Sequence, residues 1–335
     1  RIMQDPSGIL ANLRQREPSI SLDAIIELEQ RRKKIQIEHD ELRRSANEIS
    51  QYISLLDKSS PDLERSKIES RTLNKRSAEI RKDLEDVTAK LNQELLKVPN
   101  FILPQVPISE NKDDKRIVHT YGTKPVFDFK PLDHVTLGEK LGMIDFKRGT
   151  KIAGPGFPLY YGKGAILEWA LINFMIDTAR SSGFEFTLMP FLNNTKSLTA
   201  SGSLPKFADE LYSCQRDDLH LIPTAETPLT SLFRDETLDG DTLPIRLSSY
   251  SPCFRREAGA AGKLTRGLMR VHQFNKLETY SFCLPEQADE EHKRLVANGE
   301  SILKSLGLHF RLANLPSCDL AQQSAQTFDI EVWLP

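Results

Sequence analysis

Residues 253–278 read Cys-Phe-Arg-Arg-Glu-Ala-Gly-Ala-Ala-Gly-Lys-Leu-Thr-Arg-Gly-Leu-Met-Arg-Val-His-Gln-Phe-Asn-Lys-Leu-Glu. Two strand patterns, Arg246–Cys253 and Gln273–Phe282, flank a loop of small residues from Ala258 to Gly262, so the stretch reads as a hairpin. Arg255, Arg256, Arg266 and Arg270 fall within 16 residues of it. Four guanidiniums this close repel unless an anion or carboxylates neutralise them, and guanidinium matches phosphate bidentately. A polyphosphate is therefore the natural guest. The competing reading makes two of the four surface ion-pair partners. Strand alternation puts Phe274, Lys276 and Glu278 on one face. Phe274 offers a flat ring to a base, or is simply a core ring, and Glu278 offers a carboxylate to an ammonium. No Walker A loop and no GxGxxG after a strand is present, which disfavours the P-loop and dinucleotide-binding modes.

Around this hairpin, strands and helices mix without a βαβ series. Further strand patterns occur at Phe184–Pro190, His220–Ile222 and Phe328–Trp333. Residues 166–179 are apolar on nearly all sides, which predicts a helix that is buried or lies at an interface, ended by Gly183. Residues 287–306 predict a second helix, ended by Gly307. The fold class expected here is α+β with an antiparallel sheet.

Towards the N-terminus the character changes. Residues 1–98 hold one glycine and three prolines, whereas 99–335 hold 16 of each. Residues 23–98 carry 16 acidic and 16 basic side chains, too many for an ordinary globule. Their apolar residues follow heptads. One seam is Leu28, Ile35, Leu42 and Ile49, and a second is Ile25, Arg32, His39, Ala46 and Ile53. After a turn at 57–62, a further run is Leu73, Ser77, Ile80, Leu84, Val87, Leu91, Leu95 and Val98. Two such helices joined by a short turn predict a long antiparallel hairpin. Arg32 and His39 are expected to pack their stems and send their heads to water. The exit, residues 99–107, has three prolines and is stiff and extended. A polar linker at 109–116 places the expected domain boundary between 1–110 and 111–335.

With 45 basic and 47 acidic residues, net charge is −2, which excludes a generally basic nucleic-acid coat and a strongly acidic tail protein. Cys214, Cys253, Cys283 and Cys318 have no CxxC or CxH spacing, so no structural zinc site and no metal ligand set is expected within the chain. They read as free thiols in a reducing compartment. No apolar run reaches 18 residues, so no membrane partner is expected.

The hairpin stretch closely resembles motif 2 of the seryl-tRNA synthetases, through Phe254-Arg255-Arg256-Glu257, Thr265-Arg266-Gly267-Leu268 and His272-Gln273-Phe274-Asn275-Lys276-Leu277-Glu278. Thr224-Ala225-Glu226 resembles the family's serine-site segment. Ser201-Gly202-Ser203-Leu204-Pro205-Lys206-Phe207 and the run Asp329–Pro335 resemble two more of its segments, and the helical hairpin resembles its tRNA-binding arm. The resemblance is collinear and covers essentially the whole chain. It is to the bacterial or organellar type.

The resemblance implies a class II synthetase catalytic domain, an antiparallel sheet flanked by helices, working as a homodimer. It implies ATP-dependent activation of L-serine to seryl-adenylate and transfer to serine tRNA, and to selenocysteine tRNA where one exists. By position, Arg255 holds the α-phosphate and also meets serine, Glu257 takes the adenine amino group, and Phe274 stacks on adenine. Arg256, Arg266 and Val271 complete the ATP site, and Mg²⁺ on ATP completes charge neutralisation. Thr224, Ala225, Glu226 and Glu278 line the serine site. The arm implies contact with the long variable arm of the tRNA, with Arg31–Lys34, Arg43, Arg44, Lys75 and Arg76 as phosphate-contact candidates. The compartment implied is the bacterial cytoplasm, or alternatively a mitochondrial or plastid matrix. The alternative function is a catalytically silent paralogue that binds RNA or protein. Retention of Thr224, Glu226, Arg255, Glu257, Phe274 and Glu278 together favours the enzyme.

Several departures from the pattern stand out. The family continues past Trp333-Leu334-Pro335 into motif 3 and its arginine, and begins with a slightly longer opening strand. The expectation is that these 335 residues are part of a longer chain. Ser201 stands for the usual Thr, Thr227 for a common Val, and Thr279-Tyr280 for an apolar pair. Residues 316–323 are more polar than usual and are expected to alter packing beside the serine pocket.

Overall fold

The computed structural model describes residues 1–57, 60–258 and 266–335. The chain divides into two compact units. One is Arg1–Arg116 with Asn314–Thr327, and the other is Ile117–Ala313 with Phe328–Pro335.

In the first unit, α1 (Pro6–Arg14) starts where the Asp5 carboxylate accepts a hydrogen bond from the Gly8 amide, with Pro6 at the first helical position. Helices α2 (Asp23–Leu55) and α3 (Asp62–Leu95) run 33 and 34 residues. Each is about 50 Å long at 1.5 Å rise per residue. Ile25, near the start of α2, shares a buried cluster with Leu91, near the end of α3, so the pair is antiparallel. Leu13 and Leu22 complete that cluster at the root of the arm. Every expected seam position on α2 is buried or half-buried, from Ile25 to Ile53. On α3 the seam holds from Leu73 to Leu91 and extends back to Ser66 and Leu63. Leu95 departs from it and is 40% exposed. Leu95 is the last residue of α3, and Val98 beyond it packs again on the cluster at the root of the arm.

The heads of two arm arginines are engaged rather than free. Arg32 does not send its head to water but donates twice to Glu29 on its own helix, at 2.7 and 3.0 Å. Arg76 crosses to Glu38 of α2 at 2.9 Å. Arg31, Lys33, Lys34, Arg43, Arg44 and Lys75 are exposed.

Residues 314–327 fold into this first unit, which the sequence boundary did not anticipate. Ile102 and Val106 pack on Leu315 and Leu320. Arg16 donates to the carbonyls of Asn100, Leu320, Ala321 and Ser324. Burial pulls its guanidinium below its ordinary pKa. The polar stretch 316–323 is thus a docking strip within the first unit. Its Leu320 and Ala321 carbonyls are satisfied by Arg16, and Leu320, with Leu315 just before the stretch, packs on Ile102 and Val106.

The second unit runs β1 (Arg116–Tyr121), α4 (His134–Lys140), α5 (Phe146–Ala153), α6 (Lys163–Ser181), β2 (Glu185–Thr187), β3 (Leu192–Asn193), α7 (Thr195–Ala200), β4 (Ser213–Cys214), β5 (Leu219–Leu221) and α8 (Glu226–Thr230). It continues with β6 (Ile245–Phe254), β7 (Gln273–Phe282), α9 (Ala288–Ser305), β8 (Phe310–Asn314) and β9 (Phe328–Val332). Among the described residues the strands form three sheets, ordered β1-β8-β9, β2-β6-β7 and β3-β5-β4. The long β6–β7 pair is antiparallel, from Ile245 opposite Phe282 to Phe254 opposite Gln273. The short edge strand β2 pairs with β6 in parallel, so that sheet is mixed. The 57 residues between β2 and β6 supply the long connection that a parallel pair requires. The Phe184–Pro190 pattern yields only three strand residues before Pro190 closes it.

Helix α6 carries the apolar run expected to be buried or interfacial. Ile172 and Ala179 are buried, whereas Ile166, Leu167 and Trp169 are 70%, 51% and 55% exposed. Ile166 and Leu167 thus face outward, whereas the Trp169 ring, though half exposed, lies 5.6 Å from that of Tyr250. No helix among the described residues is long and apolar enough to cross a membrane.

One ion pair ties β6, β7 and α9 together. Glu291 accepts from Arg246 at 2.8 and 2.7 Å and from the Ser281 hydroxyl at 2.8 Å. The Arg246 guanidinium, more than any other neighbour, holds this carboxyl down to about 2. A depressed carboxylate pKa contributes stability above the unfolded value of about 4.3 and loses it as pH falls towards the folded one. Glu291→Gln is expected to cost about 2 kcal/mol at pH 7 by leaving Arg246 uncompensated. Denaturant titrations should show that gap closing between pH 4.5 and about pH 2. An unchanged gap at pH 3 would contradict the assignment.

Candidate active site

The β6–β7 hairpin sets the site by its register. Phe274, Lys276 and Glu278 of β7 stand opposite Cys253, Ser251 and Ser249 of β6. Directly opposed residues share a face, so all six point to one side of the sheet. The three β6 residues are fully buried and small, so the long side chains of that face come from β7. Burial raises the Cys253 thiol above its usual pKa, and Lys276, Arg255 and Glu278 are the charged groups that act on it.

Arg255 follows β6 and is held by its own backbone. Its amide donates to the His272 carbonyl at 3.0 Å, and its carbonyl lies 2.9 Å from His272 Nδ1. Its guanidinium lies 5.0 Å above the centre of the Phe274 ring, and its Nε donates to the Pro223 carbonyl at 3.4 Å. The cation therefore sits over the ring expected to face adenine. The His272 amide donates to the Gly156 carbonyl, and its ring stacks on Phe157 at 5.2 Å. Gly156 has φ +80°, and a Cβ there would collide with His272. Only glycine lets the chain pass this close. Neither His272 nor Gly156 has a role in the sequence reading, because what links them is contact across more than a hundred residues.

The serine-site segment is fastened to the same strand end. The Phe254 amide donates to the Ile222 carbonyl at 2.9 Å. Two residues on, the Thr224 hydroxyl donates to Glu278 Oε2 at 2.9 Å and accepts from the Glu226 amide at 3.1 Å. Glu226 and Glu278 both bear on Tyr280, whose hydroxyl burial pushes above its ordinary pKa. Thr224, Glu226 and Glu278 are thereby brought together as an acidic pocket. The Ala225 methyl is fully buried in a cluster with Leu229 and Leu247, so only its backbone remains for a ligand. Thr227 is fully buried and its hydroxyl has no partner, so the residue does the packing work of the Val it replaces.

The remaining arginines divide as the competing sequence reading allowed. Arg270 donates to Glu257, and Arg266 lies 3.5 Å from Asp133. Glu257, expected on the adenine amino group, adopts φ +52° and already holds Arg270. A non-glycine residue in that region carries about 1–2 kcal/mol of strain, offset here by the ion pair. Arg256 is exposed, and its amide donates to the Glu210 carbonyl at 2.8 Å. Val271 is buried. The Leu268 amide donates to His134 Nε2 at 2.9 Å, and Gly267 at φ +73° leaves no room for a side chain beside that imidazole. Residues 259–262 of the small-residue loop, and Thr265, lie outside the described residues.

A brace behind the site also escaped the sequence reading. Asn275 donates to Glu168 of α6 at 3.0 Å and accepts from the Tyr250 hydroxyl at 2.9 Å. Burial, with Glu168 nearby, keeps Tyr250 protonated as that donor. The alternation that put Phe274, Lys276 and Glu278 forward puts Asn275 on the other face, and this was the available signal.

Residues 1–102 match the family model described as seryl-tRNA synthetase N-terminal domain. Residues 210–335 match the class II tRNA synthetase core domain shared by the G, H, P, S and T enzymes. A serine–tRNA ligase of Synechococcus elongatus is 40% identical over 339 residues, covering all of this chain and 79% of its own. A solved seryl-tRNA synthetase from Pyrococcus horikoshii, complexed with ATP, is similar at TM-score 0.88 and 31% identity, over 100% of this chain and 80% of that one. The cytoplasmic serine–tRNA ligase of Naegleria fowleri, in complex with AMP, gives 0.83 and 27%, over 98% and 76%. With a helical arm on one unit, and an arginine-bearing hairpin facing an acidic pocket on the other, the chain belongs to the seryl-tRNA synthetase family.

Proposed function

We propose that this chain joins L-serine to ATP as seryl-adenylate and passes the seryl group to serine tRNA. One observation carries the reading. The hydrogen bond from Thr224 to Glu278 puts a carboxylate pocket on the strand face where Arg255 covers Phe274. Phe274 and Glu278 are four residues apart, roughly 13 Å along a strand. An adenylate is laid out in the same order, with the base at one end, the phosphate in the middle and the amino acid at the other end.

Phe274 stacks the adenine. Arg255 meets the α-phosphate, and Arg256 and Arg266 meet the outer phosphates. Glu226 and Glu278 hold the serine ammonium. ATP enters with Mg²⁺ on its phosphates as part of the substrate. A serine carboxylate oxygen attacks the α-phosphorus, and pyrophosphate leaves with the bridging electron pair. This step needs no protein acid or base. It needs alignment and neutralisation of two anions brought together. A pocket built to hydrogen-bond the serine hydroxyl rejects alanine more strongly than an apolar pocket would.

The exposed apolar face of α6 supports a homodimer, and the exposed basic residues of α2 and α3 support contact with tRNA phosphates. The six retained site residues and the ligase relatives favour catalysis over a silent RNA- or protein-binding copy. Full-length protein should exchange pyrophosphate into ATP only when serine is present. Folded protein without serine-dependent exchange would sink the reading.

A further inference from the structure

The adenylate reading leaves one charged side chain on the working face without a task. Lys276 lies between Phe274 and Glu278 on β7, about 7 Å from each along the strand. Its Nζ is 2.6 Å from Glu278 Oε2, the oxygen that also accepts the Thr224 hydroxyl. Its side chain keeps 31% of its exposure, so the ammonium borders the open side of the pocket. A primary ammonium on this carboxylate is the same chemical group that serine would present to it.

We propose that Lys276 is a catalytic residue, a stand-in ammonium on Glu278 in the free pocket that serine's ammonium displaces towards the seryl carboxylate and the α-phosphate. The proposal rests on the site assignment given under the proposed function. Serine's ammonium competes with the lysine head for Glu278, with Glu226 as a second carboxylate beside them. Two anions, the seryl carboxylate and the α-phosphate, meet one strand position away. The flexible lysine stem spans that distance, so transfer of its head satisfies both ends. Arg255 reaches the reacting atoms from the Phe274 side and Lys276 from the Glu278 side. The O–P bond then forms between two cations, as pyrophosphate departs with the electrons of the broken bond. In the free protein the same lysine keeps Glu278 paired.

The test is steady-state serine-dependent exchange by full-length Lys276→Met, Lys276→Arg, Glu278→Gln and Arg255→Ala proteins. Lys276→Met keeps the stem and removes the charge. Its kcat is expected to fall about 10²-fold, with the KM for serine within about threefold of the parent. Lys276→Arg keeps the charge and is expected to retain kcat within about tenfold. A Lys276→Met protein that changes only the KM for serine would make Lys276 a mere prop of Glu278 and overturn the proposal. So would unchanged kinetics, or an Arg variant as slow as the Met variant. If Glu278→Gln and Arg255→Ala also leave exchange intact, the site assignment itself fails. If those two are crippled and Lys276→Met is normal, only the role of Lys276 fails.

Discussion

Arg255→Ala is expected to cut serine-dependent ATP–pyrophosphate exchange by roughly 10³-fold or more, while tRNA binding stays within about twofold. The size follows from where the guanidinium sits. It is presented over the Phe274 ring by a backbone fastened at both its amide and its carbonyl to His272. It is preorganised for an α-phosphate lying between adenine and the acidic pocket, and water cannot replace a cation fixed in that position. The fold should survive the substitution, because a half-exposed cation–π contact contributes only about 0.5–1 kcal/mol. Arg255→Lys should fail nearly as badly, since an ammonium cannot reproduce the planar fork. Exchange kinetics and filter binding on the same preparations decide it. If tRNA binding collapsed and exchange survived, the hairpin would have been assigned to the wrong substrate.

The second large effect concerns the arm. Replacing residues 30–90 by a short Gly-Ser turn is expected to leave exchange within about twofold. It should lower kcat/KM for tRNA charging by roughly 10²-fold or more, because phosphate contacts along the arm supply much of the affinity for RNA. The cut leaves Ile25 and Leu91 in their cluster with Leu13 and Leu22, so the root of the arm keeps its core. The shortened protein should still sediment as a dimer, because the apolar face proposed for pairing is on α6. Charging as fast as by the parent would refute the role given to α2 and α3.

Much of the fold was legible because it rests on local periodicity. The arm seams were readable because a heptad repeat on a charged helix leaves few positions that tolerate burial. The β6–β7 hairpin was readable because alternation and a small-residue loop coincide there. Strand β1 was missed, for its apolar residues Ile117, Val118 and Tyr121 do not alternate and all six of its residues are exposed. It becomes a strand by pairing beside β8. Leu95 was misjudged because a heptad position means burial only within the helix, and α3 ends at Leu95.

Within the site, residue types were visible in the sequence, but pairings were not. Nothing in the run from Arg255 to Arg270 says that Arg270 takes Glu257 while Arg255 lies over a ring. Local spacing on β7 puts Lys276 beside Glu278, whereas Thr224 reaches that carboxylate across 54 residues.

By itself, the sequence determined the element types, the two-part organisation and the chemistry-bearing side chains. Those depend on neighbours a few positions away, through heptad, alternation and turn chemistry. Only the tertiary structure decided that residues 314–327 belong with the first unit, that β2 joins β6 in parallel, and which cation keeps which carboxylate. Such choices depend on distances between groups far apart in the chain. Burial and charge pairing set those distances once the elements are packed, and no local spacing encodes them.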